Sequence, residues 1–475
     1  MEKLEKDTKV NDPNPAKDDS PDLTAIKSNP LGTEAPCDVF NSDQGDVNFR
    51  GVSWQAAAIL IAKFQIGLGA LSIPSTFHVL GFFPGIVCFL VMAMISTVAG
   101  YICGNARQYY PHMHSIGDAA EILFGKGARE LVGFIYYIYL AMTAGAGMLT
   151  TSVALNTLSE HATCTMVLVA ATCVAGIIIS LWITAIACLT QDRPAAGPST
   201  GPVDLDIRLF PKTTFPQAMT AISNQLFAVG ASGTFCSIAA EMKHPENFTR
   251  ALIYGQSFIV LTCIAIGSIV YGNIGQYLAS PALGSAGPLI AKISYGIALP
   301  GLVVTAVLYS HIAAKYWFVR LLRGTRHLQS NTVKHWTVWV GSMIVTVVFA
   351  FIIVGVVPFF GDFLSLVGAL VNPVFTNILP GFMLLFFIAR KPMKAIEGVQ
   401  PLRPEESAME RHWLVDAFKA YRKGWKNVVA LCVACFLLLS GMFIIIGGTY
   451  STVLSIKQSY DEGEVGSVFS CADNS

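Results

Sequence analysis

Ten long apolar stretches constrain this chain more than any other feature. They lie at about 54–80, 84–104, 130–158, 165–189, 215–241, 251–275, 287–319, 336–357, 361–388 and 427–450. A run of about 20 apolar residues crosses the hydrocarbon core of a bilayer, where only helices and closed barrels satisfy their own backbone groups. The chain therefore reads as an all-α polytopic membrane protein. Charge obeys the same division. Only 13% of the 475 residues are charged, against roughly a quarter in soluble domains. Seventeen of the charged residues fall in 1–50 and fourteen in 389–426, leaving 30 for the other 387 positions.

Three domains follow from this pattern: a disordered cytoplasmic tail over 1–50, a transmembrane domain over 51–450 and a short polar C-terminal tail over 451–475. The tail over 1–50 is rich in Asp, Lys, Pro and Ser and has no apolar core. It also lacks the apolar region of a cleaved signal peptide, so the first span is expected to direct insertion. The net charge of +1 provides no basic footprint for nucleic acid. No cofactor is implied, and Cys432-x-x-Cys435 lacks the second pair of ligands that a metal site needs. Arg320, Arg323, Arg326 and Lys334, and the nine basic residues of 389–426, place both of those loops on the cytoplasmic side, and with them the N-terminus. Trp413, Leu414, Ala417, Phe418 and Tyr421 recur at helical spacing. They predict a short helix lying on the membrane surface or packed against protein, two readings the pattern does not separate. Ser115 and Asp118 start a similar helix after the second span.

The first span is interrupted at Ile66-Gly67-Leu68-Gly69-Ala70, shortly before Pro74. Two glycines and a helix-breaking proline allow the helix to unwind at mid-membrane, although the same glycines also suit close helix packing. A second interruption, Phe227-Ala228-Val229-Gly230-Ala231-Ser232, falls inside 215–241. Paired interrupted helices opening two halves of a chain point to an inverted-repeat transporter with its site near the bilayer midplane. Half-helix N-termini would present N–H groups to a carboxylate, and unwound carbonyls would accept from an ammonium. A zwitterionic amino acid meets both demands. The expected substrate-binding residues are Gly67, Leu68, Gly69, Ala70, Phe227, Ala228, Val229, Gly230, Ala231 and Ser232.

Four segments make a family resemblance specific: IGLGALSIPSTFHVLG (66–81), FAVGASGTFCSIAAEMKHPENFTRALI (227–253), SPALGSAGPLIAKISYGIALPGLVV (280–304) and HIAAKYWFVRLLRGTRHL (311–328). Together they resemble the fungal neutral amino acid permeases of the amino acid/auxin permease family, the group of the methyltryptophan-resistance permease. The likeness runs from about Gly51 to about Tyr450. It implies a leucine-transporter type inverted-repeat fold of eleven helices, a cytoplasmic N-terminus and proton-driven uptake of neutral aliphatic or aromatic amino acids by alternating access. The plasma membrane is the expected location, with the vacuolar membrane as the alternative. The chain departs from this pattern between Cys164-Thr165 and Gln191-Asp192-Arg193-Pro194-Ala195, where one apolar stretch stands for the family's fourth and fifth helices. About 25 to 30 residues are missing by the length that a second span and its loop need. Parity of the loops raises the same difficulty, because a stretch that starts and ends outside must cross an even number of times. An internal deletion, by alternative splicing or in the gene model, accounts for both.

Two ionisable residues are candidates for proton coupling. Lys63 lies one turn before the first break, where a buried charge is costly and marks function. The competing reading, a lysine snorkelling to the headgroups, is favoured by its distance of only nine residues from Trp54. His311 has an ordinary pKa near neutrality, set against the commoner fate of a histidine bonded to a carbonyl. Glu241 and Asp362 stand at span ends, and Asn224, Gln225, Asn372 and Asn377 either face a cavity or bond across helices. Two other function classes compete with transport. A membrane-embedded enzyme finds no clustered catalytic motif among the nine dispersed histidines. A sensor or inactive shortened form that binds without transporting draws its support from the shortened 165–189 region.

Overall fold

A computed structural model describes residues 51–110, 113, 115–158, 175–191, 193–194, 196–198, 202–322, 325, 327, 332–357, 359–390, 413–419 and 424–461. The tail over 1–50 and the stretches 159–174 and 391–412 lie outside the described residues. The first interrupted span is α1 (Trp54–Ile66) and α2 (Gly69–Leu80), bent by 52°. It is followed by α3 (Phe82–Tyr109), the short α4 (Ile116–Phe124), α5 (Lys126–Leu158) and α6 (Ala175–Thr190). The second interrupted span is α7 (Phe215–Val229) and α8 (Ser232–Glu241). Then come α9 (Phe248–Ile274), α10 (Pro288–Leu322), α11 (Val333–Val356), α12 (Phe360–Leu370), α13 (Leu379–Arg390), α14 (Trp413–Lys419), α15 (Trp425–Phe443) and α16 (Thr449–Asp461).

Seven of these passages are long and apolar enough to cross a bilayer, and the bent α1–α2 pair makes an eighth. With α6 and the α7–α8 pair, all ten expected stretches contain helix. Five-residue π turns join α12 to α13 (Val374–Ile378) and α15 to α16 (Ile444–Gly448). The last helix runs on to Asp461, eleven residues past the expected domain boundary at 450.

The helix contacts contain an internal two-fold. The pair α1–α2 begins at the face that carries the basic loops and runs to the opposite face, whereas α7–α8 runs the other way. Helix α9 packs along α1 and α2, and α3 packs along α7 and α8. The long helices α5 and α10 form the central antiparallel pair. Gly147 of α5 lies so close to Ala306 of α10 that an added Cβ would sit 3.0 Å from the Ala306 Cβ. Small residues permit such approach, which gains van der Waals contact where lipid supplies no hydrophobic drive. The sets α1–α2, α3, α5 and α7–α8, α9, α10 are therefore inverted counterparts.

Between the end of α5 and the start of α7, which lie at the same face, one described helix stands. The described part of helix α6 has 16 residues, about 24 Å at 1.5 Å per residue. Thr184 donates to Ser294 Oγ (3.0 Å) and so anchors it to the first turns of α10.

Two surface helices answer the open questions of sequence. Ser115 caps α4 through a reciprocal box, its Oγ accepting from Asp118 N and its own N–H donating to Asp118 Oδ2. In α14, Trp413 and Ala417 are buried, and Trp413 packs on Phe124 and Phe386. Val415 and Phe418 remain exposed, so the helix rests on protein and keeps a second apolar edge.

Candidate functional site

Both expected breaks are present, and both are narrower than the sequence suggested. The first consists of Gly67 and Leu68; Gly69 and Ala70 already form the first turn of α2. The second consists of Gly230 and Ala231, with Phe227, Ala228 and Val229 closing α7 and Ser232 opening α8. All ten residues are buried. The two breaks meet. A Cβ on Gly69 would lie 2.3 Å from Ala228 Cα, so the antiparallel spans cross backbone to backbone at this glycine.

Interrupting a helix frees carbonyls and N–H groups, and lipid offers them nothing. The carbonyls are answered by side chains from neighbouring helices. Ser96 of α3 donates to Val229 O (2.5 Å), Tyr139 of α5 to Gly230 O (3.3 Å) and Asn372, after α12, to Leu226 O (2.9 Å). At the first break Tyr309 of α10 donates to Phe64 O (2.9 Å). Tyr139 and Tyr309 sit on the two counterpart helices of the internal two-fold and perform the same task at opposite breaks. The N–H ends are treated differently. Leu68 and Ala231, the N-cap residues of α2 and α8, provide no side-chain cap, and the first N–H groups of a helix have no acceptor within it. Two half-helix N-termini thus converge, uncapped, in a buried crossing where their dipoles favour negative charge.

The bond that each tyrosine hydroxyl gives to its break carbonyl is neutral and worth about 0.5–1.5 kcal/mol net. Tyr139→Phe and Tyr309→Phe are each expected to lower thermal stability by about that amount. Measurement of either variant's unfolding midpoint in detergent checks this, and a midpoint equal to wild type contradicts the bond.

Lys63 does not snorkel. Its side chain is 6% exposed, and the ammonium donates to Thr305 Oγ1 at 2.7 Å, while Thr305 donates on to Gly301 O (2.8 Å). Thr305 also faces Gly67, 3.4 Å from where a Cβ would stand. Lys63 therefore links the first broken span to α10 directly beneath the break. His311 lies on the exposed flank of α10, edge-on to Trp339 with ring centroids 4.9 Å apart, away from both breaks.

Three of the four amide side chains bond across helices, whereas Asn224 keeps its Oδ1 buried without a hydrogen-bond partner among the described residues. Gln225 donates to Thr76 Oγ1 and to Gly85 O, both at 3.0 Å, and Asn377 donates to Ser440 Oγ at 3.0 Å. Asp362 accepts from Ser455 (2.7 Å) and Ser459 (3.2 Å), fastening α12 to α16. Sequence reasoning missed Ser96, Tyr139, Thr305 and Tyr309. Hydroxyl residues inside apolar spans are too common to single out, and only Asn372, next to Pro373 in an apolar stretch, carried a signal.

At the basic face a short backbone clasp joins the start of α1 to the end of α8. Val52 N donates to Glu241 O (3.2 Å) and Lys243 N to Val52 O (3.0 Å). The Arg250 guanidinium lies 4.2 Å from the centre of the Trp54 ring.

Residues 50–192 and 196–401 match the family described as transmembrane amino acid transporter protein. A transmembrane transporter of Fusarium pseudograminearum is 29% identical over 473 residues, covering 95% of this chain and 93% of its own. A second, from Gibberella moniliformis, is 29% identical over 464 residues, covering 92% and 91%. The N amino acid transport system protein of Neurospora crassa is 24% identical over 454 residues, covering 91% and 90%. Among solved structures, a manganese transporter of Eremococcus coleocola aligns with a TM-score of 0.43 at 10% identity, over 86% of this chain and 95% of that one. With a family match over most of its length, the chain belongs to the transmembrane amino acid transporter family.

Proposed function

We propose that this protein carries neutral amino acids across a membrane by proton symport, alternating access around the crossing of α1–α2 with α7–α8. The observation that carries the proposal is the pair of uncapped half-helix N-termini at Gly69 and Ser232. They offer N–H groups to a substrate carboxylate, and the break carbonyls, now held by Ser96, Tyr139 and Tyr309, offer acceptors to its ammonium. Gly69 and Gly230 are closed off here by Ala228 and Asn372, so space for an aliphatic or aromatic side chain opens only as the two broken spans move apart. The basic loops support a cytoplasmic N-terminus and hence uptake inward, with the plasma membrane as the proposed location.

Lys63 is the proposed coupling group. A buried ammonium bonded only to a neutral hydroxyl among the described residues is costly to keep charged, so loss of its proton and release of Thr305 would be linked. Uptake of radiolabelled leucine, phenylalanine and proline into vesicles, with and without a protonophore, tests the transport reading. Accumulation is expected to collapse with the gradient, and accumulation that persists overturns symport. Lys63→Ala is expected to reduce uptake at least tenfold and flatten its pH dependence; unchanged rate and profile remove the coupling role.

A second reading is favoured by one observation, the single apolar stretch over 165–189 between two ends at the same face. On that reading the chain binds amino acids without carrying them. Leucine binding to purified protein together with no vesicle uptake would select it.

A further inference from the structure

At the face opposite the basic loops, a cavity of about 190 Å³ lies over the outer ends of both broken spans. Its floor is the last turn of α2, its walls are α7 and α9, and its roof is the segment 204–213. None of these lining residues belongs to the crossing described above. The roof is held firmly. Leu205 O accepts from Gln276 N (3.0 Å), Arg208 N donates to Tyr271 Oη (3.2 Å), Arg208 O accepts from Phe82 N (3.1 Å) and Thr213 donates to Val79 O (2.7 Å). Two glycines with positive φ admit it. A Cβ on Gly81 (φ 93°) would stand 2.3 Å from Pro211 Cδ, and one on Gly275 (φ 59°) 1.8 Å from Leu205 O.

The chemistry of the lining is that of an anion site with one acidic group beside it. Arg208 and Lys212 bring two cations, and Asp206 brings one carboxylate, which accepts from Arg208 Nε at 2.7 Å through Oδ1. That bond and the nearby negative charge hold the Arg208 guanidinium above its ordinary pKa, so it stays cationic at every accessible pH. Lys212 has no ion-pair partner among the described residues. His78, on the floor, keeps its Nδ1 buried without a hydrogen-bond partner, its ring edge-on to Tyr271 (5.9 Å). An unpaired buried ring nitrogen marks a place where a ligand or water completes the structure. Tyr271, Val79 and Pro211 supply apolar wall.

We infer that this cavity is an outer binding site for the free amino acid, its carboxylate held by Arg208 and Lys212 and its ammonium by Asp206, before it reaches the helix breaks. The volume lies below that of drug-sized pockets, about 300–1,000 Å³, and suits a solute of amino-acid size. The lining itself holds two cations against one carboxylate, with Asp204 acting on Arg208 from outside it, and this sets the preference for a carboxylate-bearing solute over a purely cationic one. The inference rests on the amino acid reading above for the identity of the solute, and its test separates the two.

The test uses purified full-length protein with ¹³C-labelled histidine, titrated at fixed ionic strength with acetate, leucine and leucinamide while the His78 ring signal is followed; His78→Gln assigns that signal. Acetate and leucine are expected to shift it saturably and leucinamide to leave it in place. Lys212→Gln, an exposed position that folding tolerates, is expected to weaken the leucine response at least threefold, and Arg208→Gln with Lys212→Gln to abolish it. No shift with either carboxylate, an equal shift with leucinamide, or an undiminished response in the double variant overturns the site. If wild-type protein takes up no amino acid but His78 responds to acetate and leucine as expected, the outer site stands and the transport reading fails.

Discussion

Gly69→Ala is expected to abolish uptake and to lower the yield of folded protein. The added methyl would meet Ala228 Cα at 2.3 Å, Ala228 Cβ at 2.7 Å and Ala228 N at 3.1 Å. Backbone atoms cannot rotate aside, so one broken span must shift against the other. Overpacking of this kind costs about 1–3 kcal/mol, and here the displacement falls on the crossing itself. Uptake is expected to fall more than tenfold even where folded protein is recovered. Gly341→Ala serves as the control, because a Cβ there meets nothing within 4 Å and should move neither quantity. The pair is read by vesicle uptake normalised to folded protein, and near-normal uptake by Gly69→Ala would show that the spans do not cross at this glycine.

Asn372→Asp is the second large effect. The two side chains have the same shape, yet Asp has no N–H to give Leu226 O, which now receives Asn372 Nδ2 at 2.9 Å. An acceptor would face an acceptor, and an ionised carboxylate would lie at a position that is fully buried. Leaving a buried carbonyl unpaired costs about 1–3 kcal/mol, and a charged group more. The same amide occupies the space beside Gly230, where a Cβ would stand 1.7 Å from Asn372 Nδ2. Asn372→Asp is therefore expected to lower the unfolding midpoint by more than Tyr139→Phe does, and to remove uptake. A midpoint within error of wild type would mean that Asn372 does not hold the second break. Raising its stability by acidification, which protonates the new carboxyl, is the further signature of a buried charge.

The two breaks differ in how far the sequence revealed them. Gly67 and Gly69, two residues apart and followed by Pro74, mark the first within a single turn. Gly230 marks the second less sharply, which is why Phe227 to Ser232 was the narrowest range available before the helix ends were known. Lys63 shows the opposite case. Counting nine residues back to Trp54 suggested a side chain long enough to reach the headgroups, but Thr305 lies 2.7 Å away, and a short hydrogen bond inside the protein replaced the longer reach to water. His311, chosen for its ring chemistry, sits on the flank of α10 that turns away from α1, a matter of helical phase that no residue type reports. The cavity under segment 204–213 was not visible at all, since it is assembled from a loop, α2, α7 and α9.

Sequence by itself determined that the chain lives in a bilayer, where its apolar passages lie and where two of them must break. Those properties are local: exclusion of charge from hydrocarbon acts along about 20 residues at a time, and glycine and proline loosen the backbone within one turn. Only the tertiary structure decided which side chain answers which broken backbone group. The partners are 91 positions apart for Tyr139 and Gly230, and 245 for Tyr309 and Phe64. Which of many buried hydroxyls meets a freed carbonyl depends on helix crossing and rotation, and these are set by close packing at glycines such as Gly69 and Gly147 rather than by the residues that make the bond.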